Sequence, residues 1–221
     1  MKKIVFFVFW TALLLLVPFT VLQKTPWELA VKNPANLTNF IQRCIGLAAF
    51  ILLFVQLVLG VFMAKLTKIF GSWIFKFHVA EGIAAYTLVF LHPLIFMLFN
   101  YYTGLGWDPY AVFVNICLLC KTPLDYYYTL GRISFWLVTL AVGAAYFRNK
   151  NSWFEANWRK FHVLNYIAFL VIGAHGFLIG TDFVRQPFFT FAAVAYATFL
   201  CIVIFIEASR FYKNFNFWLK G

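Results

Sequence analysis

Long apolar runs, separated by short polar or charged links, recur along the whole chain. A run of about 20 apolar residues is long enough to cross the hydrocarbon core of a bilayer as an α-helix. The pattern predicts an all-α, polytopic membrane bundle that forms a single domain over residues 1–221. The six predicted transmembrane spans are about Ile4–Leu22, Phe40–Met63, Trp73–Asn100, Thr129–Phe147, Arg159–Gly180 and Pro187–Tyr212.

The connection between the third and fourth predicted spans, Tyr101–Tyr128, is longer than the other links. Its middle part, Ala111–Cys120, is apolar but too short to cross a bilayer. We expect this part to be interfacial or re-entrant. It contains Cys117 and Cys120, for which a disulfide and a redox role both stay open.

Composition supports the membrane assignment and excludes a water-soluble domain. Hydrophobic residues make up 64% of the chain and charged residues only 11%, whereas soluble domains carry roughly 25% charged residues. The net charge of +11 would favour nucleic acid as a partner of a soluble protein. Here the basic residues lie in the links, and no nucleic-acid-binding motif is present, so we expect the partner to be the lipid bilayer.

The distribution of basic residues predicts the orientation of the bundle. With the N-terminus in the cytoplasm, twelve of the 18 Lys and Arg residues fall on the cytoplasmic side and six fall outside. Cytoplasmic loops of membrane proteins carry this excess of positive charge. We therefore predict a multi-pass protein of the bacterial inner membrane with both termini in the cytoplasm.

All four histidines fall in the third and fifth predicted spans: His78 and His92 in the third, His162 and His175 in the fifth. Ionisable residues inside a membrane are rare and are candidates for function. The separations of 14 and 13 residues correspond to rises of roughly 21 and 20 Å along a helix. Because both spans run from inside to outside, His78 and His162 are expected at one depth and His92 and His175 at a second.

Two parallel helices with histidines at two matched depths are suited to two stacked haems. Each iron would take one imidazole nitrogen from each helix, and both axial positions would then be filled. That arrangement favours electron transfer over binding of a substrate at the metal. The other nitrogen of each ring is expected to donate to the carbonyl four residues back. Those carbonyls belong to Ile74, Leu88, Trp158 and Val171.

The spacing in the fifth span raises a geometric difficulty. Fourteen residues advance an ideal helix to about 40° short of four turns, which leaves His78 and His92 on one face. Thirteen residues fall about 140° short, so His162 and His175 share a face only if the helix is locally overwound. Otherwise the two haems must lie at different angles around the axis of the helix. Gly173 and Gly176 lie beside His175 and could permit such a distortion.

These histidine pairs, two spans apart in a six-helix unit, resemble the ferric-reductase-like transmembrane domain. That superfamily includes ferric reductases, NADPH oxidases and the haem-binding membrane subunit of the bacterial methionine-sulfoxide reductase system. Three shorter stretches add to the resemblance: Arg43-Cys-Ile-Gly46, Gly131-Arg132-Ile133 and Trp158-Arg-Lys-Phe-His162. The resemblance covers roughly residues 40–210.

The resemblance implies two b-type haems, one held by His78 and His162 and the other by His92 and His175. It also implies that electrons move from the cytoplasmic to the outer face. Many relatives carry a C-terminal flavin and nicotinamide domain, but this sequence stops soon after the sixth span. We therefore expect a separate cytoplasmic flavoprotein or a membrane quinol to donate the electrons, with flavin present only on such a partner.

Further residues are candidates for contact with the cofactors. Haem propionates need cations, and Lys76 and Arg159 lie near the inner level, while Arg43 and Arg132 lie at the outer ends of the second and fourth spans. Each of these cations is equally compatible with a role as an interfacial anchor.

Two aromatic residues and one acid within the predicted spans also have candidate roles. Tyr86 and Phe169 fall midway between the histidines of their spans and could lie between the haems, although plain packing explains them as well. Glu81, one turn from His78, is expected to have an interior partner. Lys76 is one candidate for that partner.

The sequence thus predicts the membrane electron-transfer subunit of an oxidoreductase. Its outer-face acceptor could be ferric iron, oxygen, a quinone or a periplasmic reductase. A quinol-oxidising cytochrome b is one alternative. A histidine-lined metal transporter is another, although ligands of one tetrahedral metal ion lie within a few ångströms of it and the two histidine levels do not.

Overall fold

The computed structural model describes residues 1–218, with side chains described for residues 1–208. This part is 83% helical and contains no strand. Six helical segments within it are long and apolar enough to cross a membrane. The prediction of an all-α, multi-pass membrane protein is therefore confirmed, whereas the predicted position of the C-terminus falls outside the described residues. The helices are α1 (Lys2–Lys24), α2 (Trp27–Ala30), α3 (Pro34–Phe70), α4 (Trp73–Tyr102), α5 (Pro109–Phe113), α6 (Pro123–Phe147), α7 (Ser152–His162), α8 (Leu164–Ile179) and α9 (Phe188–Trp218).

Helices α3 and α6 begin earlier than hydrophobicity alone predicts, at Pro34 and Pro123. Each has proline in its first turn, a position where proline is favoured because its missing N–H needs no partner. The Asn33 side chain accepts a hydrogen bond from the backbone N–H of Asn36 at 2.8 Å, and Thr122 caps α6 in a reciprocal capping box. These caps extend both helices beyond the apolar runs, so the predicted boundaries at residues 40 and 129 are wrong.

The fifth predicted span consists of two helices that meet at Val163. The backbone N–H of Tyr166 donates to the carbonyl of Val163 at 3.0 Å, a bond between residues three apart. Such bonds tighten the turn and rotate the chain further per residue than an α-helix does. Of the two alternatives left open by the sequence, a local tightening of the helix between His162 and His175 is therefore present, but it lies beside His162 and not at the glycines beside His175.

The bundle is built from two helix pairs with a gap between them. Helix α3 packs along α4, and α6 packs along α7 and α8, whereas α4 and α8 make little direct backbone contact within the described residues. An apolar core, in which the buried Phe50, Phe169 and Phe188 form an aromatic cluster, joins α3 to α8 and α9. We call the end of the bundle where α4 finishes and α6 begins the connection end, because the connection containing α5 lies there.

Candidate cofactor site between the two helix pairs

His92 of α4 and His175 of α8 lie at the connection end, close enough to each other for their charges to interact if both rings were protonated. Nδ1 of His92 lies 3.1 Å from the carbonyl oxygen of Gln42, and Nδ1 of His175 lies 2.8 Å from that of Tyr127. A carbonyl can only accept, so Nδ1 of each ring carries the proton and the lone pair of the neutral ring is on Nε2. The Gln42 side-chain amide lies 3.4 Å from Nε2 of His92.

The acceptor carbonyls of these two rings belong to neighbouring helices, not to the histidines' own helices. The prediction that each ring donates to the carbonyl four residues back is therefore wrong for His92 and His175. The reason is the close approach of α3 to α4 and of α6 to α8. This approach brings a backbone oxygen of the partner helix within reach of each ring.

A glycine lies one helical turn after each acceptor carbonyl and makes room for the ring. A Cβ atom added at Gly46 would lie 2.7 Å from Cε1 of His92, and one added at Gly131 would lie 2.9 Å from Cε1 of His175. Carbon atoms in ordinary contact are about 3.5–4.0 Å apart. We call each combination of carbonyl and following glycine a histidine seat: Gln42 with Gly46 on α3, and Tyr127 with Gly131 on α6. Both glycines belong to the short stretches that carry the family resemblance, but their role beside the rings was not predicted.

A cavity of about 650 Å³ lies between the helix pairs at the connection end. His92 and His175 line it, together with Arg43 and Arg132. Most of the remaining lining is apolar, including Phe50. Cavities of about 300–1,000 Å³ that are mostly apolar and have a few polar groups are typical of sites for cofactors and small molecules.

The two arginines of the cavity differ in how their charge is balanced. Arg43 forms an ion pair with Asp182, which is 2% exposed, and Nη2 of Arg43 lies 2.6 Å from Oδ1 of this carboxylate. Arg132 donates through Nη1 to the carbonyl of Asn115 at 2.6 Å and lies 6.0 Å from the centre of the Tyr128 ring. Its Nε is buried and has no hydrogen-bond partner among the described residues. Arg132 is therefore the better placed of the two to bind an anionic group in the cavity.

His78 of α4 and His162 of α7 form the second pair, at the opposite end of the bundle. They too are close enough for their charges to interact if protonated. Nδ1 of His78 is buried and has no hydrogen-bond partner among the described residues. Nδ1 of His162 lies 3.4 Å from the side-chain amide of Asn165, and its ring packs edge-on against Trp158 at 5.5 Å. The expected hydrogen bonds to the carbonyls four residues back are again not formed by these rings.

The cations predicted near this second pair lie at the surface. Lys76 and Arg159 are exposed, and the Arg159 guanidinium lies 5.3 Å from the centre of the Trp158 ring. Arg148, which the sequence analysis did not select, lies 5.1 Å from the same ring. The two arginines thus flank the aromatic side chain that packs against His162.

The two aromatic candidates from the middle of the spans lie in different surroundings. The Tyr86 hydroxyl donates to Oγ1 of Thr139 on α6 at 3.3 Å. Phe169 is buried and stacks on Phe50, with ring centres 5.1 Å apart. Phe50 lines the cavity, and Phe169 packs behind that ring.

Glu81 is buried in the interior, as expected for an ionisable residue inside a span. Its partner is Gln56 of α3, whose side-chain amide donates to Oε2 of Glu81 and, at 2.8 Å, to the backbone carbonyl of His78. Lys76, the sequence candidate for this role, is exposed instead. Gln56 therefore links the buried carboxylate to the backbone of one histidine.

Neither a multi-ligand metal centre nor a matching protein identifies the site directly. Within the described residues, no three His, Cys, Asp or Glu side chains form a group that could hold a metal ion. Comparison of the chain with protein-family models, with curated proteins and with solved structures finds no match. The functional assignment therefore depends on the paired histidines, their seats and the cavity between them.

Proposed function

We propose that this chain is a membrane cytochrome that holds two b-type haems between α4 and the α7–α8 segment and carries electrons across the bilayer. The observation that carries the proposal is the pairing of four histidines at two levels of the bundle, two on each side of the same gap. Axial ligation of a haem needs two imidazoles on opposite sides of a flat cofactor. A gap between two helix pairs, with one histidine on each wall, has the required form.

The His92–His175 level supports the proposal most strongly. Both seats fix Nδ1 as the protonated nitrogen, so Nε2 of each ring can bind iron. At His92, iron would replace the Gln42 amide as the partner of Nε2. The apolar lining of the cavity suits a porphyrin, and Arg132 has an unused donor for a propionate.

At the His78–His162 level, a different observation supports ligation of a haem by two histidines. A buried imidazole nitrogen without a partner costs free energy, and Nδ1 of His78 is such an atom. A metal bond at His78 would supply its ring with a strong partner. The two levels are separated along α4 by 14 residues, a rise of roughly 21 Å, so that one haem would lie near each face of the membrane.

A bound haem supplies the one-electron redox centre, and this chain supplies its position and surroundings. The seats orient two of the rings, and the apolar core excludes water from the helix interface beside the cavity. The resemblance to the ferric-reductase-like transmembrane domain is part of the proposal. With the positive-inside orientation, a cytoplasmic flavoprotein or a membrane quinol would donate electrons to the His78–His162 level. An acceptor at the connection end would take them from the His92–His175 level.

A quinol-oxidising cytochrome b is the second candidate, favoured by Glu81. Oxidation of a quinol releases protons, and a buried carboxylate near the inner level can accept one. Gln56 holds Glu81 beside the backbone of His78. A purified chain that is reduced by a quinol without any flavoprotein would support this candidate.

The proposed function is tested by the difference spectrum of the purified protein, reduced minus oxidised, together with its haem content. We expect a haem b signal with two haems per chain. His92→Ala or His175→Ala should remove one haem and leave the other, and His78→Ala or His162→Ala should remove the second.

Matched controls for the histidine variants are Phe90→Ala on α4 and Phe177→Ala on α8, which change exposed side chains of the same helices. Both controls should keep two haems. Protein that folds without haem, or control variants that lose as much haem as the histidine variants, would contradict the assignment.

A further inference from the structure

The Cys117–Cys120 disulfide lies at the connection end, beside the seat of His175. The connection is attached to three successive turns of α6. Trp136 donates through Nε1 to the carbonyl of Phe113 at 2.9 Å, and Arg132 donates to the carbonyl of Asn115. One turn closer to the start of α6, the hydroxyl of Thr129 accepts from the backbone N–H of Cys117 at 3.3 Å and lies 3.6 Å from its sulfur.

This attachment places the disulfide close to the candidate cofactor site. Thr129 lies between Tyr127, whose carbonyl accepts from His175, and Gly131, against which the His175 ring packs. A path from the ring to the sulfur therefore needs only the Tyr127 carbonyl, one short stretch of α6 backbone and the Thr129 hydroxyl. The second cysteine, Cys120, is held to the first by the disulfide.

The disulfide is poorly suited to a purely structural role. A disulfide stabilises a fold mainly by closing a loop in the unfolded chain, and the effect increases with the length of that loop. Here the loop contains only two residues between the cysteines, and both cysteines belong to one connection. Cys-X-X-Cys pairs are instead frequent among reactive dithiols.

The disulfide is also accessible to a partner from the same side. Both cysteines are partly exposed, and Leu118 and Leu119 between them are 82% and 93% exposed. Exposed leucines beside a reactive disulfide give an apolar contact for a second protein. The other two cysteines, Cys44 and Cys201, are free.

We propose that the Cys117–Cys120 disulfide accepts the electrons that leave the His92–His175 haem. This inference rests on the proposed function. Two ferrous haems each give one electron and become ferric, the S–S bond breaks, and the two sulfurs take two protons from the aqueous side. The resulting dithiol then reduces a disulfide of a second protein by thiol–disulfide exchange, which restores the Cys117–Cys120 bond. The outer-face substrate class is thus a protein disulfide.

The test traps thiols in the purified chain, in lipid nanodiscs and without oxygen. The haems are reduced with a photoreduced flavin, which contains no thiol, and the sample is then quenched with acid and labelled with a maleimide. We expect two additional labels per chain, on Cys117 and Cys120 by peptide mass spectrometry, relative to a sample that was never reduced. Labels on Cys44 and Cys201 should appear in both samples.

Two variants distinguish reduction of the disulfide through the haems from its direct reduction by the flavin. His175→Ala should lose the additional labels, because the haem beside the disulfide is missing. Cys117→Ser with Cys120→Ser should keep two haems per chain. After illumination limited to two electrons per chain, this variant should hold both haems in the ferrous state, whereas the unsubstituted protein passes both electrons to the disulfide and returns its haems to the ferric state.

The outcomes distinguish this inference from the function on which it rests. Two haems that are fully reduced while the disulfide stays intact would overturn the inference and leave the proposed cytochrome standing. Equal labelling of His175→Ala and the unsubstituted protein would also overturn it. A chain that binds no haem would overturn the proposed function, and the inference with it.

Discussion

The two histidine seats make a sharp prediction about glycine. Gly46→Ala and Gly131→Ala each add one methyl group, and in both cases the nearest atom is Cε1 of a histidine ring, at 2.7 Å and 2.9 Å. Ordinary contacts of a Cβ atom begin at 3.4 Å, which is 0.7 Å beyond the first distance and 0.5 Å beyond the second. Each ring must therefore retreat from the helix that holds it.

The size of the effect follows from what the retreat breaks. At His92 the bond from Nδ1 to the Gln42 carbonyl is 3.1 Å long, and a shift of roughly 0.7 Å takes it past the limit of a hydrogen bond. Loss of that bond costs about 0.5–1.5 kcal/mol, and overpacking adds about 1–3 kcal/mol. Alanine recovers about 0.5–1 kcal/mol by its higher helix propensity. The net loss is about 0.5–4 kcal/mol, and the centre of this range, about 2 kcal/mol, is roughly 30-fold in an equilibrium constant.

The assay compares four variants for thermal unfolding in detergent and for haem content. Gly60→Ala and Gly143→Ala are the matched controls on the same two helices. The Cβ atom added at Gly60 would lie 3.9 Å from Cε1 of His78, and the one added at Gly143 would have no neighbouring atom within 4 Å. We expect the seat variants to lose the haem of the His92–His175 level and to unfold at a lower temperature, while the controls keep both haems and are slightly more stable. Seat variants that behave like the controls would refute the reasoning.

Three other predictions follow from packing and charge. Arg43→Ala removes the cation that pairs with Asp182, whose carboxylate is 2% exposed. This variant should lower the free energy of unfolding by about 3–5 kcal/mol in a thermal melt, and a loss below about 1 kcal/mol would contradict the prediction. Phe169→Ala should cost about 3–5 kcal/mol, whereas Phe177→Ala, on the same helix but 56% exposed, should cost far less in the same assay. In intact cells, and with the four native cysteines replaced by serine, a membrane-impermeant maleimide should label Tyr110→Cys and not Lys150→Cys; the reverse pattern would invert the predicted orientation.

The transmembrane spans could be predicted from the sequence because the length of an apolar run is a direct consequence of bilayer thickness. The ends of the helices could not be predicted from the same signal. Asn33 and Thr122 cap helices whose first turns are polar, and these turns add no hydrophobicity to the run. The caps are visible in the sequence as an Asn-Pro and a Thr-Pro pair, so attention to capping would have found them.

The partners of the candidate site were the least predictable part. His92 and His175 are held by backbone carbonyls, and a carbonyl is present at every residue whatever its side chain. The pairing of Arg43 with Asp182 joins residues 139 positions apart. Hydrophobic periodicity contains no information on such pairs, because it fixes the faces of helices and not their neighbours.

The two helix pairs present His92 and His175 by one common device, although the helices have no evident similarity of sequence. In each pair the first helix offers a carbonyl and, four residues later, a glycine, and the second helix offers the ring. A haem held by both rings would depend on both seats, so a change at either seat would weaken its binding. Both glycines should therefore be intolerant of alanine, and Gly46 more so than Gly131, because the His92 ring must move further and its bond to the carbonyl is longer, at 3.1 Å against 2.8 Å for His175.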